Sequence, residues 1–258
     1  MHASENNVYY GRAMRDWYGS AAGQVVLEQE VRALSQVLPD LFGYHLLQIG
    51  SCGQDVLDSS RILHRMVMDV SDCRQQQVDT LAGLCALPDN LPIASDSVDA
   101  VLLYHSLEFS QDPHQVLREV ERVLVPEGHV LIMGFNPRSL WGLRAMMHRR
   151  GDTMPWNGRF VNQPRLRDWL SLLGFDVIDV QPLCFQAPLK HVPGTGGLQF
   201  MARWGARWWP WFCGVYLMTA RKKVSTMTPI KPRWQPRRRL VAGLSEPASR
   251  GMQRNGRS

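Results

Sequence analysis

The chain has 258 residues, of which 45% are apolar, 9% aromatic and 20% charged. Those proportions fit a globular protein with one sizeable core and exclude disordered, collagen-like and miniature disulfide-built classes. The formal charge of +6 is unevenly spread: residues 221–258 hold eight arginines and three lysines against the single acid Glu246, a charge of +10, which leaves −4 for the first 220 residues.

Residues 9–18 carry Tyr9, Tyr10, Trp17 and Tyr18 as an aromatic lead-in to residues 25–38, where Val26, Leu27, Val31, Leu34 and Leu38 recur at helical spacing; residues 1–44 read as an N-terminal helical segment. His45–Ile49 is a short buried strand, broken by Gly50, Ser51, Cys52 and Gly53, after which residues 55–63 are expected to open a helix. Residues 65–69 form a second strand ending on a carboxylate, residues 80–84 a weaker third, and Val98–Tyr104 a clear fourth. Asp112 and Pro113 then supply an N-cap acid and a proline at the first helical position. The helix they open puts Val116, Leu117, Val120, Val123 and Leu124 on one face and Arg118, Glu119, Glu121 and Arg122 on the other, and Pro126-Glu127-Gly128 is expected to stop it.

Residues 129–135 are a fifth strand, mostly apolar as a strand covered on both faces should be. Residues 164–173 read as a helix closed by Gly174, Phe175–Leu183 as a sixth strand and residues 214–220 as a seventh. Alternating strands and helices of this length predict a doubly wound α/β sheet, Rossmann-like, with right-handed crossovers. The five cysteines (Cys52, Cys73, Cys85, Cys184, Cys213) are odd in number and contain no C-x-x-C pair, so neither a disulfide framework nor a zinc site is indicated, and a reducing compartment is expected. The N-terminus lacks the basic and apolar regions of a secretory signal. The most apolar window, residues 204–220, contains Arg207 and Pro210 and falls short of the ~20 residues a spanning helix needs. The expected location is cytoplasmic, with no transmembrane segment and no metal.

In an open α/β sheet the ligand lies beyond the carboxyl ends of the strands, at the switch point beside the first one. That places Gly50, Gly53, Asp69, the loop after the third strand, Tyr104 and His105 together. Gly50 permits a tight turn, and the helix expected after it would offer unpaired N–H groups and a positive dipole end to an anionic group. Asp69 at its strand end is placed to accept from both ribose hydroxyls. A glycine turn with a downstream acid implies an adenosine-containing ligand.

From Leu91 to Asp99 the chain reads Leu-Pro-Ile-Ala-Ser-Asp-Ser-Val-Asp, followed by the strand to Tyr104, then Asp112-Pro113 and Arg122-Val-Leu-Val-Pro-Glu-Gly128. This ordered set resembles the class I S-adenosylmethionine-dependent methyltransferases, particularly the small-molecule type. The resemblance covers roughly residues 45–135, with the Gly174-Phe175 turn and the last strand similar to the family's sixth and seventh strands. It implies a seven-stranded sheet with an antiparallel last strand, S-adenosyl-L-methionine as cofactor, and a methyltransferase domain over residues 45–223 with acceptor-side insertions at about 138–165 and 184–213. By the same resemblance Gly50, Ser51, Cys52 and Gly53 face the methionine part, Asp69 the ribose, the loop of Leu87 and Asp89 the adenine, and Tyr104 the cofactor from the fourth strand.

The chain departs from the family's D-x-G-x-G-x-G loop: Gln48 replaces the acid, and Cys52 and Gln54 stand at the later glycine positions. The acid that often meets the adenine amino group aligns with Leu87, and Asp89 is its substitute two residues on. Methyl displacement needs mainly a nucleophile held in line; where a proton must leave, His105 and Glu108 are the weak candidates for a general base. Trp204, Trp208, Trp209, Trp211 and Phe212, with Arg203 and Arg207, have the character of a pocket for an aromatic or lipid-like acceptor, of a membrane-surface contact, or of plain packing. The acceptor itself is unidentified.

The end, residues 224–258, is basic, contains Pro229, Pro232, Pro236 and Pro247, and is expected to be disordered. Arg237-Arg238-Arg239 near Trp234 has the composition of a weak contact to RNA or another anionic surface, against the plainer reading of a solubilising extension. The alternative to an enzyme is a non-catalytic methyltransferase-fold scaffold whose basic tail engages RNA or a protein partner. A nicotinamide-dependent oxidoreductase is disfavoured because the G-x-G-x-x-G spacing is missing.

Overall fold

The computed structural model describes residues 13–69, 82–148, 156, 158–184 and 213–224. It divides into a unit of Met1–Val224 and a second of Ser225–Ser258. The expectations for the basic tail and for the tryptophans of residues 204–211 therefore lie outside the described residues.

The strands β1 (His45–Ile49), β2 (His64–Met68), β3 (Ala82–Leu84), β4 (Val98–Tyr104), β5 (Leu124–Phe135), β6 (Phe175–Leu183) and β7 (Val215–Lys222) form one sheet in the order β3-β2-β1-β4-β5-β7-β6. β1 pairs in parallel with β2 and β4, β2 with β3 and β4 with β5, whereas β7 runs antiparallel to both β5 and β6. This is the mostly parallel sheet with an antiparallel last strand that the family resemblance implies.

Because side chains alternate along a strand, the core splits in two. Leu46, Leu102, Tyr104, Leu131, Met133 and Phe135 pack on one side with α1 (Ala21–Val37), Met14, Tyr18 and Trp141. Leu47, Ile49, Val101, Leu103, Val130 and Ile132 pack on the other with α2 (Pro113–Val123) and α4 (Gln163–Leu172). Ser20 caps α1 by accepting from Gly23 N, and Asp112 caps α2 by accepting from His114 N and Gln115 N. The helix α3 (Leu140–His148) was not among the predicted elements.

Three expectations need correction. The first concerns residues 50–63, which form turns and bends with no helix between β1 and β2. Local side-chain bonds compete with the helix there: Asp55 Oδ1 accepts from Leu57 N at 2.9 Å, Ser60 Oγ from Ile62 N at 3.2 Å, and the Leu57 carbonyl from Arg65 at 3.0 Å. The second is that Pro126-Glu127-Gly128 does not separate helix from strand. Helix α2 ends at Val123, β5 starts at Leu124, and the three residues form an irregularity within it, with Glu127 at φ +65° and the register against β4 shifting between Val98 and Ala100. The third is that Cys85, just after β3, is in a disulfide, which the cysteine spacing does not announce; Cys52, Cys184 and Cys213 are buried and not in disulfides.

Two fastenings explain the motif residues. Asp99 Oδ2 accepts from Tyr44 N and His45 N at 2.8 and 2.9 Å, which pins the start of β1 to β4. Arg122 donates to the carbonyls of Leu91 and Ile93 at 2.9 Å each and to Glu119, while Glu119 accepts from Leu91 N. The loop that leads into β4 is thus held from α2. Among the described residues no helix is long and apolar enough to cross a membrane.

Candidate functional site

The carboxyl ends of β1, β2, β3 and β4 meet at one edge. β1 turns there through Gly50 at φ +92° and Gly53 at φ +83°, backbone conformations that favour glycine. Gly50 N donates to Met68 O at 2.9 Å, and a β-carbon on Gly50 would run into the Tyr104 carbonyl oxygen, so the turn sits tightly between β2 and β4. Gln48, where the family pattern has an acid, is buried and donates to the Gly50 carbonyl at 2.7 Å, so it staples the loop from inside. Ser51 Oγ accepts from Gly53 N, and Cys52 is buried with its thiol pushed up to about 11 chiefly by that burial. Asp69 follows β2 directly and is buried, and its N–H donates to Leu84 O at 3.1 Å. Leu87 and Asn90 bridge a short turn that carries Asp89.

The structure also brings in a residue that the sequence did not single out. Glu30 of α1 is fully buried. Its Oε2 accepts from Tyr18 at 2.9 Å and from the Tyr104 hydroxyl, and its Oε1 faces His105 Nε2 at 2.9 Å. On its other side His105 Nδ1 lies 3.4 Å from Glu108 Oε1, which accepts from Phe135 N at 2.6 Å. Burial alone would lower the His105 pKa, but the charges of Glu30 and Glu108 outweigh it and raise it to about 9. The two carboxylates thus favour the protonated imidazole, which faces one of them from each nitrogen. Burial, then the Glu30 charge, holds both Tyr18 and Tyr104 well above the usual phenol range.

The predicted residues thus separate by geometry. The loop of Gly50, Ser51, Cys52 and Gly53 shares the sheet edge with Asp69, Tyr104 and His105, Glu108 meets His105 there, and Asp89 lies in the turn after β3. The Tyr104 side chain, however, is engaged with Glu30 inside the core. The helix N-terminus expected after Gly53 is absent. The fit of this edge to an adenosine-bearing sulfonium cofactor shows in its buried polar atoms. Asp89 Oδ1, Ser106 Oγ and Glu108 Oε2 have no hydrogen-bond partner among the described residues, and Ser106 Cβ lies 3.8 Å from where a β-carbon on Gly50 would be. Buried polar atoms are normally satisfied, so this edge presents acceptor positions suited to an amino or hydroxyl donor.

Beside it stands an aromatic wall. The His105 ring lies 4.3 Å from Phe135, Phe135 stacks on Phe160 at 5.1 Å and Trp141 on Trp156 at 5.4 Å, and the Arg144 guanidinium sits 5.0 Å over Trp156. These rings come from the end of β5, from α3 and from residues 156–160. Among the described residues no group of three or more His, Cys, Asp or Glu side chains could hold a metal ion.

Residues 61–132 match the family model described as a methyltransferase domain. The chain is 35% identical over 195 residues to the uncharacterized protein YafS of Escherichia coli (strain K12), covering 72% of this chain and 78% of that one. It is 32% identical over 105 residues to the malonyl-[acyl-carrier protein] O-methyltransferase of Methylovorus sp. (strain MP688), over 40% of this chain and 35% of that protein. Among solved structures, a S-adenosylmethionine-dependent methyltransferase from Thermotoga maritima superposes with a TM-score of 0.61 at 19% identity, over 84% of this chain and all of that one. Geranyl diphosphate C-methyltransferase from Streptomyces coelicolor A3(2) superposes with a TM-score of 0.52 at 15% identity, over 75% and 77% of the two chains.

Proposed function

The chain belongs to the class I S-adenosylmethionine-dependent methyltransferases, and on that premise we propose that it moves the methyl group of S-adenosyl-L-methionine to a small aromatic or lipid-like acceptor. The cofactor supplies an electrophilic methyl carbon on a sulfonium, which a nucleophile takes directly. What the chain supplies is placement, and holding two reacting groups in line can account for most of the acceleration such a displacement needs.

In this reading the loop of Gly50, Ser51, Cys52 and Gly53 bounds the methionine side, Asp69 accepts from the ribose hydroxyls, and Asp89 Oδ1 with the backbone of the Leu87 turn receives the adenine amino group. Phe160, half-buried beside the core rings of Phe135, Trp141 and Trp156, packs against the acceptor. His105 is held between two carboxylates and serves to position; Glu108, whose Oε2 has no partner among the described residues, is the group that takes a proton where the acceptor atom carries one. The observation that supports the reading is the glycine turn at Gly50, packed between the strand ends that carry Asp69 and Tyr104, with Ser106 beside it.

The test is calorimetric titration of the full chain with S-adenosylmethionine, S-adenosylhomocysteine and NADH. Micromolar binding of the first two without the third is expected. Absence of binding by both sulfur compounds would refute the cofactor assignment.

A further inference from the structure

The helix α3 starts on Ser139, whose Oγ accepts from Gly142 N at 3.2 Å while its carbonyl accepts from Leu143 N at 3.0 Å. Its inner side is fixed. Trp141 and Ala145 are buried in the core, Trp141 stacks on Trp156, and a β-carbon on Gly142 would run into the Pro137 carbonyl oxygen, so the backbone of the preceding turn closes directly on the helix. At 3.6 residues per turn, positions 140, 143, 146 and 147 fall on the opposite side. They hold Leu140, Leu143, Met146 and Met147, exposed by 45, 53, 69 and 75%. The helix cannot turn this side inward without pulling Trp141 and Gly142 from their places.

A helix that is apolar on both sides is ordinarily buried on both, and a cluster of exposed apolar side chains marks a contact surface. The surrounding charges point to the partner. Between Glu127 and Asp152 the sequence has four arginines, Arg138, Arg144, Arg149 and Arg150, and no acid. Arg138 is exposed in the turn before α3, and Arg144 borders the apolar side with its guanidinium 5.0 Å over Trp156. Two copies meeting through this face would bring like charges together, whereas the phosphates of an anionic bilayer complement them. Leucine and methionine on a short helix flanked by arginine suit the boundary between headgroups and acyl chains. The nine residues of α3 make about 13 Å of helix, far short of the ~30 Å hydrocarbon core, so the helix would lie along the surface.

We infer that the outward side of α3 is a docking surface for an anionic membrane, where Leu140, Leu143, Met146 and Met147 enter the acyl boundary and Arg138 meets lipid phosphate. The inference goes beyond the methyl-transfer reading and does not depend on it. For that reading its consequence is positional. The other side of α3 carries Trp141 of the aromatic wall, so docking sets the wall beside the bilayer and favours the lipid-like class of acceptor.

The experiment sediments the full-length chain with vesicles of phosphatidylcholine alone and of phosphatidylcholine with an equal part of phosphatidylglycerol, and follows amide exchange of residues 140–147 with and without them. Binding to the mixed vesicles, weakened by salt, with slowed exchange over α3, is expected. The double variant Leu143→Gln, Met147→Gln should lower partitioning roughly tenfold or more, and Arg138→Gln should lower it about fivefold at low salt. Leu172→Gln, a similarly exposed apolar position at the end of α4, should stay within about twofold and serves as the control. The urea midpoint of each variant checks that its fold is intact. No binding by the unaltered chain would overturn the inference. So would binding that the double variant retains in full, which would assign it to the basic residues 221–258, or slowed exchange that spares α3. A dimer formed without lipid and dissolved by the double variant would give this face to a second copy and overturn the inference as well.

Discussion

Asp69 is the single side chain on which most of the ribose recognition is expected to rest. It is a buried acid at a strand end, with its own N–H tied to Leu84 O. Replacing it by alanine removes charge-assisted hydrogen bonds worth about 1.5–3 kcal/mol each, so S-adenosylhomocysteine affinity should fall at least tenfold. Unchanged affinity by calorimetry would remove Asp69 from the site. Such a residue is legible in a sequence because its position follows from strand length and loop spacing alone. Glu30 is not, because a glutamate in a helix is ordinarily solvent-facing. Its signal was nonetheless present: Val26, Leu27 and Leu34 stand three or four positions from it, so residue 30 falls inside the apolar stripe of α1. What makes the burial tolerable is the set of donors from Tyr18, Tyr104 and His105, and these come from two other segments that only the fold brings near.

Elements read well from the sequence where hydrophobic periodicity decides them. His45–Ile49, Val98–Tyr104 and Phe175–Leu183 are apolar or alternating runs bounded by turn residues, and they are strands with the expected limits. The crossover after β1 could not be read that way, because Asp55 and Ser60 satisfy nearby N–H groups in turns, as such residues often do. The clamp between α2 and the loop before β4 is an element-scale device of the same kind. Arg122→Ala would leave the Leu91 and Ile93 carbonyls without their side-chain donor and free Glu119 from its partner. The expected cost is about 1–2 kcal/mol, read as a lower urea midpoint, and amide exchange of residues 91–97 should quicken relative to that of β5. Equal exchange in the variant and the unaltered chain would show that the loop is held by β4 alone.

On the scale of the whole molecule, the buried cluster links the N-terminal helices to the sheet edge. Tyr18 precedes α1, Glu30 lies within it, Tyr104 ends β4, His105 and Glu108 follow, and Phe135 N closes the chain of contacts from β5. Its charge state sets a dependence of stability on pH. The folded chain raises the His105 pKa from 6.5 to about 9, so it binds this proton more tightly than the unfolded chain does. The resulting stabilisation is fully present below pH 6.5 and is lost as the pH rises through the folded value. A shift of this size corresponds to something on the order of 3 kcal/mol. His129 has its pKa lowered by burial and by Arg221, so it acts with the opposite sign and below this window. The Cys52 thiol at about 11 and the two phenols titrate above it. Urea midpoints measured from pH 6 to 10 should therefore fall most steeply between about 6.5 and 9, with the onset of loss accompanied by release of the N-terminal helices in amide exchange. A midpoint that stays level or rises across that interval would mean that His105 is neutral between Glu30 and Glu108, and that the link from α1 to β4 and β5 is held by hydrogen bonds without the ionic contribution.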